Sequence, residues 1–296
     1  MSYSSELKES LCRLPVPPEV RLPFCYGLTY FGRYFSRERI CVSTENEAVS
    51  ALCRVMFADF AGVDCEASRT GSGACRLDVP KDSTDDFLRC FGISEDRDTS
   101  VFVDDNVKGV DGARYFLLGA FLMCGNMSDP ENDFHLEFDV YGEERVAVIK
   151  NALLCLGLKS KTVHRGRLTV VYMASGDDIA ELLGNIGAHN AMLEVIQKKA
   201  ERSVRDMVNR RVNCDSANLK KSSAAAARQL KAVRILEKHG ALDSLPPELR
   251  ELALLRVENP DMSLDALGKA LSTPVTRSCA ARRLQKIESA AAEIKD

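Results

Sequence analysis

Two stretches of the chain carry the same hydrophobic pattern. The first opens with Ile40-Cys41-Val42-Ser43 and the second with Leu136-Glu137-Phe138-Asp139-Val140, each a strand-like run. Each then passes into apolar positions at helical spacing: Ala48, Leu52, Val55, Met56 and 58–60 in the first, Val146, Ile149, Leu153, Leu154 and Leu156 in the second. Both helices stop near a glycine, Gly62 or Gly157. Two short strands follow in each copy, 63–68 and 74–79 around Gly71-Ser72-Gly73, then 159–164 and 167–173 around Arg165-Gly166. Ser83-Thr84-Asp85-Asp86 and Ser175-Gly176-Asp177-Asp178 then open a further helix, with acids suited to the positive end of the helix dipole. Residues 40–93 and 138–187 thus double one α/β unit.

A glycine-ended apolar helix precedes each copy, Phe24 to Gly32 and Leu117 to Gly125. Gly27 in one, and Gly119 with Ala120 in the other, would let the two helices approach closely about a pseudo-twofold axis. Residues 94–111, with six acids against two bases, read as the connector. From Ala188 the pattern turns helical. Residues 198–238 carry twelve Lys/Arg against four acids, and Ala224 to Ala227 favour one or two long basic helices. Three shorter helices follow: one opened by Pro246-Pro247 and closed before Asn259-Pro260, one at 264–271 capped by Ser263, and one at 277–292 capped by Thr276.

Charge sharpens this division. The net of −3 is the sum of an acidic part, residues 1–195 with 20 Lys/Arg against 30 Asp/Glu, and a basic part, 196–296 with 20 against 13. An acidic body joined to a basic helical end is the charge footprint of a nucleic-acid-binding module on a non-binding one, although a solvated basic face gives the same count. With 28% charged residues and 45% apolar ones, the chain is globular and long enough for two domains. The 115–125 run is too short to span a bilayer, and the N-terminus lacks a basic-then-apolar signal pattern, which points to the cytoplasm. Eleven scattered cysteines without a C-x-x-C pair read as reduced buried thiols, and the four histidines stand at no zinc spacing.

The last two helices and the turn between them have helix-turn-helix spacing, in which the second helix enters the major groove. On a helical wheel Ala280, Leu284 and Ile287 face the core. Ser278, Ala281, Arg282, Gln285 and Lys286 face away, with Thr276, Arg277 and Arg283 at the start and flanks. Arginine bonds guanine edges bidentately, glutamine bonds adenine, and serine or lysine reaches bases or phosphates. Lys220 and Lys221 in the basic segment are candidates for phosphate contacts. A basic helical hairpin without a nucleic-acid role shares this pattern. Asn213 and Asn218 serve either as phosphate contacts or as caps at a junction between helices, and His189 reads as a helix-start hydrogen bonder.

The paired glycine-ended helices resemble the LAGLIDADG homing-endonuclease fold, whose central helices each place a metal-binding carboxylate just before the last glycine. Phe31 and Cys124 stand at those positions here, and neither holds a hard divalent ion. The nearby Asp129 sits past the helix beside Pro130. Nearly the whole chain resembles the WhiA family of bacterial regulators, in the stretches 118–122, Asp129-Pro130, 135–137, 186–191, 208–210, 212–214, Ala217-Asn218, 242–246, Ser263-Leu264 and Leu267-Gly268. It departs from the family most at the aromatic Tyr30-Phe31 and Arg33-Tyr34.

The resemblance implies an α+β fold: a pseudo-twofold duplicated LAGLIDADG-like domain (halves 1–93 and 111–195, connector 94–110), a basic helical linker 196–240 and an all-α helix-turn-helix domain 241–296. It further implies a non-enzymatic, nucleoid-associated transcription regulator linked to cell division, chromosome segregation and sporulation. No cofactor or metal is expected. The expected partners are double-stranded DNA and, through the N-terminal domain, other regulators or RNA polymerase; no membrane is involved. The competing hypotheses are a metal-dependent endonuclease with displaced acidic ligands and an architectural DNA-binding protein without base specificity.

Overall fold

The structure, a computed structural model, describes residues 2–71, 73–94, 96, 98–99 and 102–294. Ser72 of the Gly71-Ser72-Gly73 turn, and Glu95, Arg97, Ser100 and Val101 of the connector, lie outside them. The chain is α+β and divides into two units, Met1–Arg202 and Ser203–Asp296.

The first unit contains the duplication. Its first half runs through α1 (Tyr3–Leu11), α2 (Arg21–Tyr30), β1 (Tyr34–Phe35), β2 (Ile40–Thr44), α3 (Glu47–Ala61), β3 (Glu66–Arg69), β4 (Cys75–Asp78) and α4 (Thr84–Arg89). The second half runs through α5 (Gly109–Cys124), β5 (Gly125–Met127), β6 (Leu136–Val140), α6 (Glu143–Cys155), β7 (Lys161–Arg165), β8 (Leu168–Met173) and α7 (Gly176–Asn185). Each half builds an antiparallel four-stranded sheet, of order β1-β2-β4-β3 or β5-β6-β8-β7. The two sheets share one scheme of inward-facing pairs, Val42 opposite Leu77 and Phe138 opposite Val171. The strands β1 and β5 are additions to the sequence pattern, at two and three residues too short to show a period.

Glycine sets the distance between the central helices. A methyl group built on Gly27 would stand closer than 3.0 Å to the Phe116 carbonyl oxygen, and one on Gly119 closer than 3.0 Å to that of Phe24. Backbone therefore packs on backbone where α2 meets α5. The aromatic departure in the first half has a structural role here. Tyr26, Tyr30, Phe31 and Phe35 interlock with Phe91, Phe102 and Phe116, and the buried Tyr26 hydroxyl accepts a 2.9 Å hydrogen bond from the Val103 N–H.

Local signals account for most boundaries. Gly62 closes α3 in the left-handed region at φ 67°, and Ser175 caps α7 by accepting from the Asp178 N–H. Ser83 makes no such cap; Thr84 instead donates to the Pro80 carbonyl. All eleven cysteines are free. Among the described residues no helix is long and apolar enough to cross a membrane.

One helix, α8 (His189–Lys238), begins against the first unit through Ala191 and Val195 and continues without a break. Asn213 and Asn218 therefore lie inside a helix and cap no junction; the Asn218 amide reaches one turn back to the Cys214 sulfur. In the second unit the end of α8 supplies Ala232, Val233 and Leu236 to a core shared with α9 (Pro247–Glu258), α10 (Leu264–Ala270) and α11 (Arg277–Glu293).

Candidate nucleic-acid interface

Helix α9 is the frame on which both turns of the three-helix unit are held. Its Arg256 is almost fully buried, and Nη1 donates to the carbonyls of Asn259, Pro260 and Met262 at 3.5, 3.2 and 2.7 Å. That clamp shapes the turn into α10, and burial pulls the guanidinium pKa below its ordinary value. One turn earlier on α9, Glu251 accepts from the Ser272 N–H at 2.6 Å and from the Ser272 hydroxyl, which pins the turn into α11 and lowers the carboxyl pKa.

Caps and one glycine complete the scaffold. Ser263 accepts from the Ala266 N–H at 3.2 Å and Thr276 from the Cys279 N–H at 3.3 Å, so α10 and α11 start where the capping pattern predicts. The Val275 N–H donates to the Gly268 carbonyl at 2.9 Å, and a methyl group built on Gly268 would meet the Val275 carbonyl oxygen at 2.5 Å. Only hydrogen fits there without movement.

On α11, Ala280, Leu284, Ile287 and Ala291 are buried. Arg277, Ser278, Arg282, Gln285 and Lys286 are exposed on the other side, and Ala281 is half-buried. Among the described residues, Arg277, Arg282 and Lys286 make no ion pair. Arg283 differs: its guanidinium is largely covered and bound to Glu248 of α9 at 2.7 Å, which ties α11 to its frame. The Thr276 hydroxyl is engaged as the cap and lies 3.1 Å from the Ser278 hydroxyl.

Lys220 and Lys221 are exposed on α8. Their neighbours Leu219, Ser222 and Ser223 border a cavity of about 540 Å³ that Arg277 also lines, so this part of α8 and the start of α11 meet at one feature. The sequence carries no local signal for these roles of Arg256, Glu251 and Gly268. A buried arginine bonded only to carbonyls leaves no periodic signature, and the Glu251-to-Ser272 contact joins positions 21 residues apart.

In the first unit, Phe31 closes α2 against Tyr30 and Phe116, and Cys124 is the last residue of α5. Burial pushes the Cys124 thiol up to about 12, which leaves it neutral at physiological pH. Asp129 is used in its own turn, accepting from the Glu131 N–H at 2.9 Å. Among the described residues no three His, Cys, Asp or Glu side chains gather to hold an ion. The sheets also neutralise much of their own basic charge: Arg39 and Arg76 both bind Asp78, at 2.9 and 2.7 Å, and Glu137 lies 3.4 Å from Arg165 and 3.0 Å from His135.

Comparison with known proteins follows the same division. A family model described as the WhiA LAGLIDADG-like domain matches residues 113–205, and one described as the WhiA C-terminal HTH domain matches residues 208–291. A probable cell division protein WhiA of Clostridium acetobutylicum is 32% identical over 266 residues, covering 86% of this chain and 84% of its own length. The corresponding protein of Clostridium perfringens is 31% identical, covering 100% and 99%. The crystal structure of full-length WhiA from Thermotoga maritima has the same fold, with a TM-score of 0.62 at 24% identity over the whole of both chains.

Proposed function

The chain belongs to the WhiA family, and from that premise we propose that it is a sequence-specific, double-stranded-DNA-binding transcription regulator without enzymatic activity, acting in cell division. The finer physiology we attach to it is chromosome segregation, and sporulation if the host forms spores. The observation that carries the proposal is the outer face of α11. Arg277, Arg282, Gln285 and Lys286 stand there exposed, and the one arginine turned inward, Arg283, is bound to α9.

The mechanism is positional. Helix α11 enters the major groove, held at a set angle by the Arg256 and Glu251 clamps on its two flanking turns. Arg282 and Gln285 read base edges, Ser278 and Lys286 bond bases or phosphates, and Lys220 and Lys221 add phosphate contacts that carry no sequence information. The net positive charge lies after residue 195, so the affinity for DNA resides there. The acidic first unit serves as a platform for other regulators or RNA polymerase, and the protein acts in the cytoplasm on the nucleoid.

The test is a genome-wide pull-down of DNA fragments with the full chain. A recovered common motif, bound far more tightly than scrambled duplex, supports the proposal. Recovery without sequence preference would make this an architectural protein. Cutting of plasmid DNA with Mg²⁺ or Mn²⁺ would restore the endonuclease reading.

A further inference from the structure

The junction of the two halves contains a cavity of about 540 Å³, within the size range of small-molecule sites, at the C-terminal ends of α2 and α5. Its chemistry is mixed in a specific way. Arg33 follows α2, and Arg145 lies in the first turn of α6, so one arginine comes from each half. Neither has an ion-pair partner among the described residues; Arg33 lies against the Tyr34 ring and Arg145 against the Tyr30 ring.

Further polar groups point to the same class of ligand. Ser43 lines the wall. Two guanidiniums without an ion pair among the described residues are donors for an anion. Asp139 lies on the same wall, a carboxylate acceptor for a ligand hydroxyl or amine. Tyr141, a residue 62% exposed, adds an aromatic ring, and Phe31 adds a second aromatic wall.

We propose that this cavity binds a nucleotide, with Arg33, Arg145 and Ser43 on the phosphates, Asp139 on a ribose hydroxyl or base amine, and Tyr141 against the base. Duplex DNA is the less suitable source of the phosphate. Residues 1–195 carry a ten-charge excess of acids, and Arg39, Arg76 and Arg165, on or beside the adjoining sheets, are already bound to Asp78 and Glu137. A small anion meets the two free arginines without bringing a long polyanion against that field.

The test is equilibrium dialysis of the full chain against labelled ADP and, separately, labelled inorganic phosphate. ADP should bind saturably at one site and at least tenfold more tightly than phosphate. Arg33→Gln and Arg145→Gln should each weaken ADP binding by about tenfold or more with unchanged melting, because each removes a charge-assisted contact. Ser43→Asp should abolish binding, and Arg282→Ala should leave it unchanged. Absence of saturable ADP binding, or binding indifferent to all three cavity substitutions, would overturn the proposal. Equal affinity for phosphate and ADP would remove the nucleotide assignment. Displacement of ADP by a short duplex, with Arg33→Gln and Arg145→Gln losing duplex affinity to the same extent, would make the cavity a DNA phosphate site instead.

Discussion

Replacing Gly268 by alanine pits two known effects against each other, and the structure decides the sign. Alanine in a helix interior is favoured over glycine by about 1 kcal/mol. Against that, the added methyl would sit 2.5 Å from the Val275 carbonyl oxygen, a backbone atom that moves only if the turn between α10 and α11 moves. Overpacking of this kind costs about 1–3 kcal/mol. Opening the turn also breaks the 2.9 Å hydrogen bond from the Val275 N–H to the Gly268 carbonyl, worth a further 0.5–1.5 kcal/mol or so. The net expectation is a loss of about 1–3 kcal/mol confined to the second unit, and a fall of roughly 4–8 °C per kcal/mol for a unit of this size. Differential scanning calorimetry of the full chain should show the transition of the second unit moving down and that of the first unit in place, with faster amide exchange in α11. DNA affinity should fall in parallel. A higher melting temperature for the second unit would mean that helix propensity wins and that the close packing of Gly268 on Val275 is wrong.

Other outcomes follow from the same geometry. Burial, then the nearby Glu137, raises the Asp139 pKa above its ordinary 3.8, so the folded protein holds that proton to higher pH than the unfolded chain does. The ionised carboxyl therefore destabilises the fold at neutral pH. Asp139→Asn should raise the melting temperature at pH 7, with a gain that shrinks on acidification and vanishes below about pH 4; a pH-independent gain would contradict the assignment. Joint Phe31→Asp and Cys124→Asp substitution should create no nuclease, as read by a plasmid assay with Mg²⁺, and should lower the melting temperature, because the Phe31 ring leaves its packing on Tyr30 and Phe116; an unchanged melting temperature would count against that packing. Lys220→Ala and Lys221→Ala should each weaken binding to all duplexes equally and reduce the slope of log K against log salt by about 0.9, and a sequence-dependent loss would move them from phosphate to base contacts.

The regular elements were legible where a local rule acts alone. The doubled strand-helix-strand-strand pattern, the Gly62 stop and the Ser263 and Thr276 caps are written in spacing and in residues that can bond their own backbone. The strands β1 and β5 were not legible, because two or three residues paired to a distant strand carry no period of their own. Neither was the continuity of α8 past Asn213 and Asn218: both look like caps, yet the helix runs through them. On α11 the wheel separated buried Ala280, Leu284 and Ile287 from exposed Arg282, Gln285 and Lys286, as the fold has them. It could not show that Arg283 is drawn to Glu248, since that partner lies on another helix 35 residues away.

Readout of base sequence by α11 depends on Arg282, exposed on the outward face of that helix and without an ion pair among the described residues. Salt titrations of the full chain and of Arg282→Ala, on a genomic site recovered by pull-down and on a scrambled duplex of the same length, measure it. A loss of about 1–3 kcal/mol is expected on the genomic site and a smaller one on the scrambled duplex. Equal losses on the two duplexes would show that Arg282 touches only the phosphate backbone, and would contradict readout by this face of the helix.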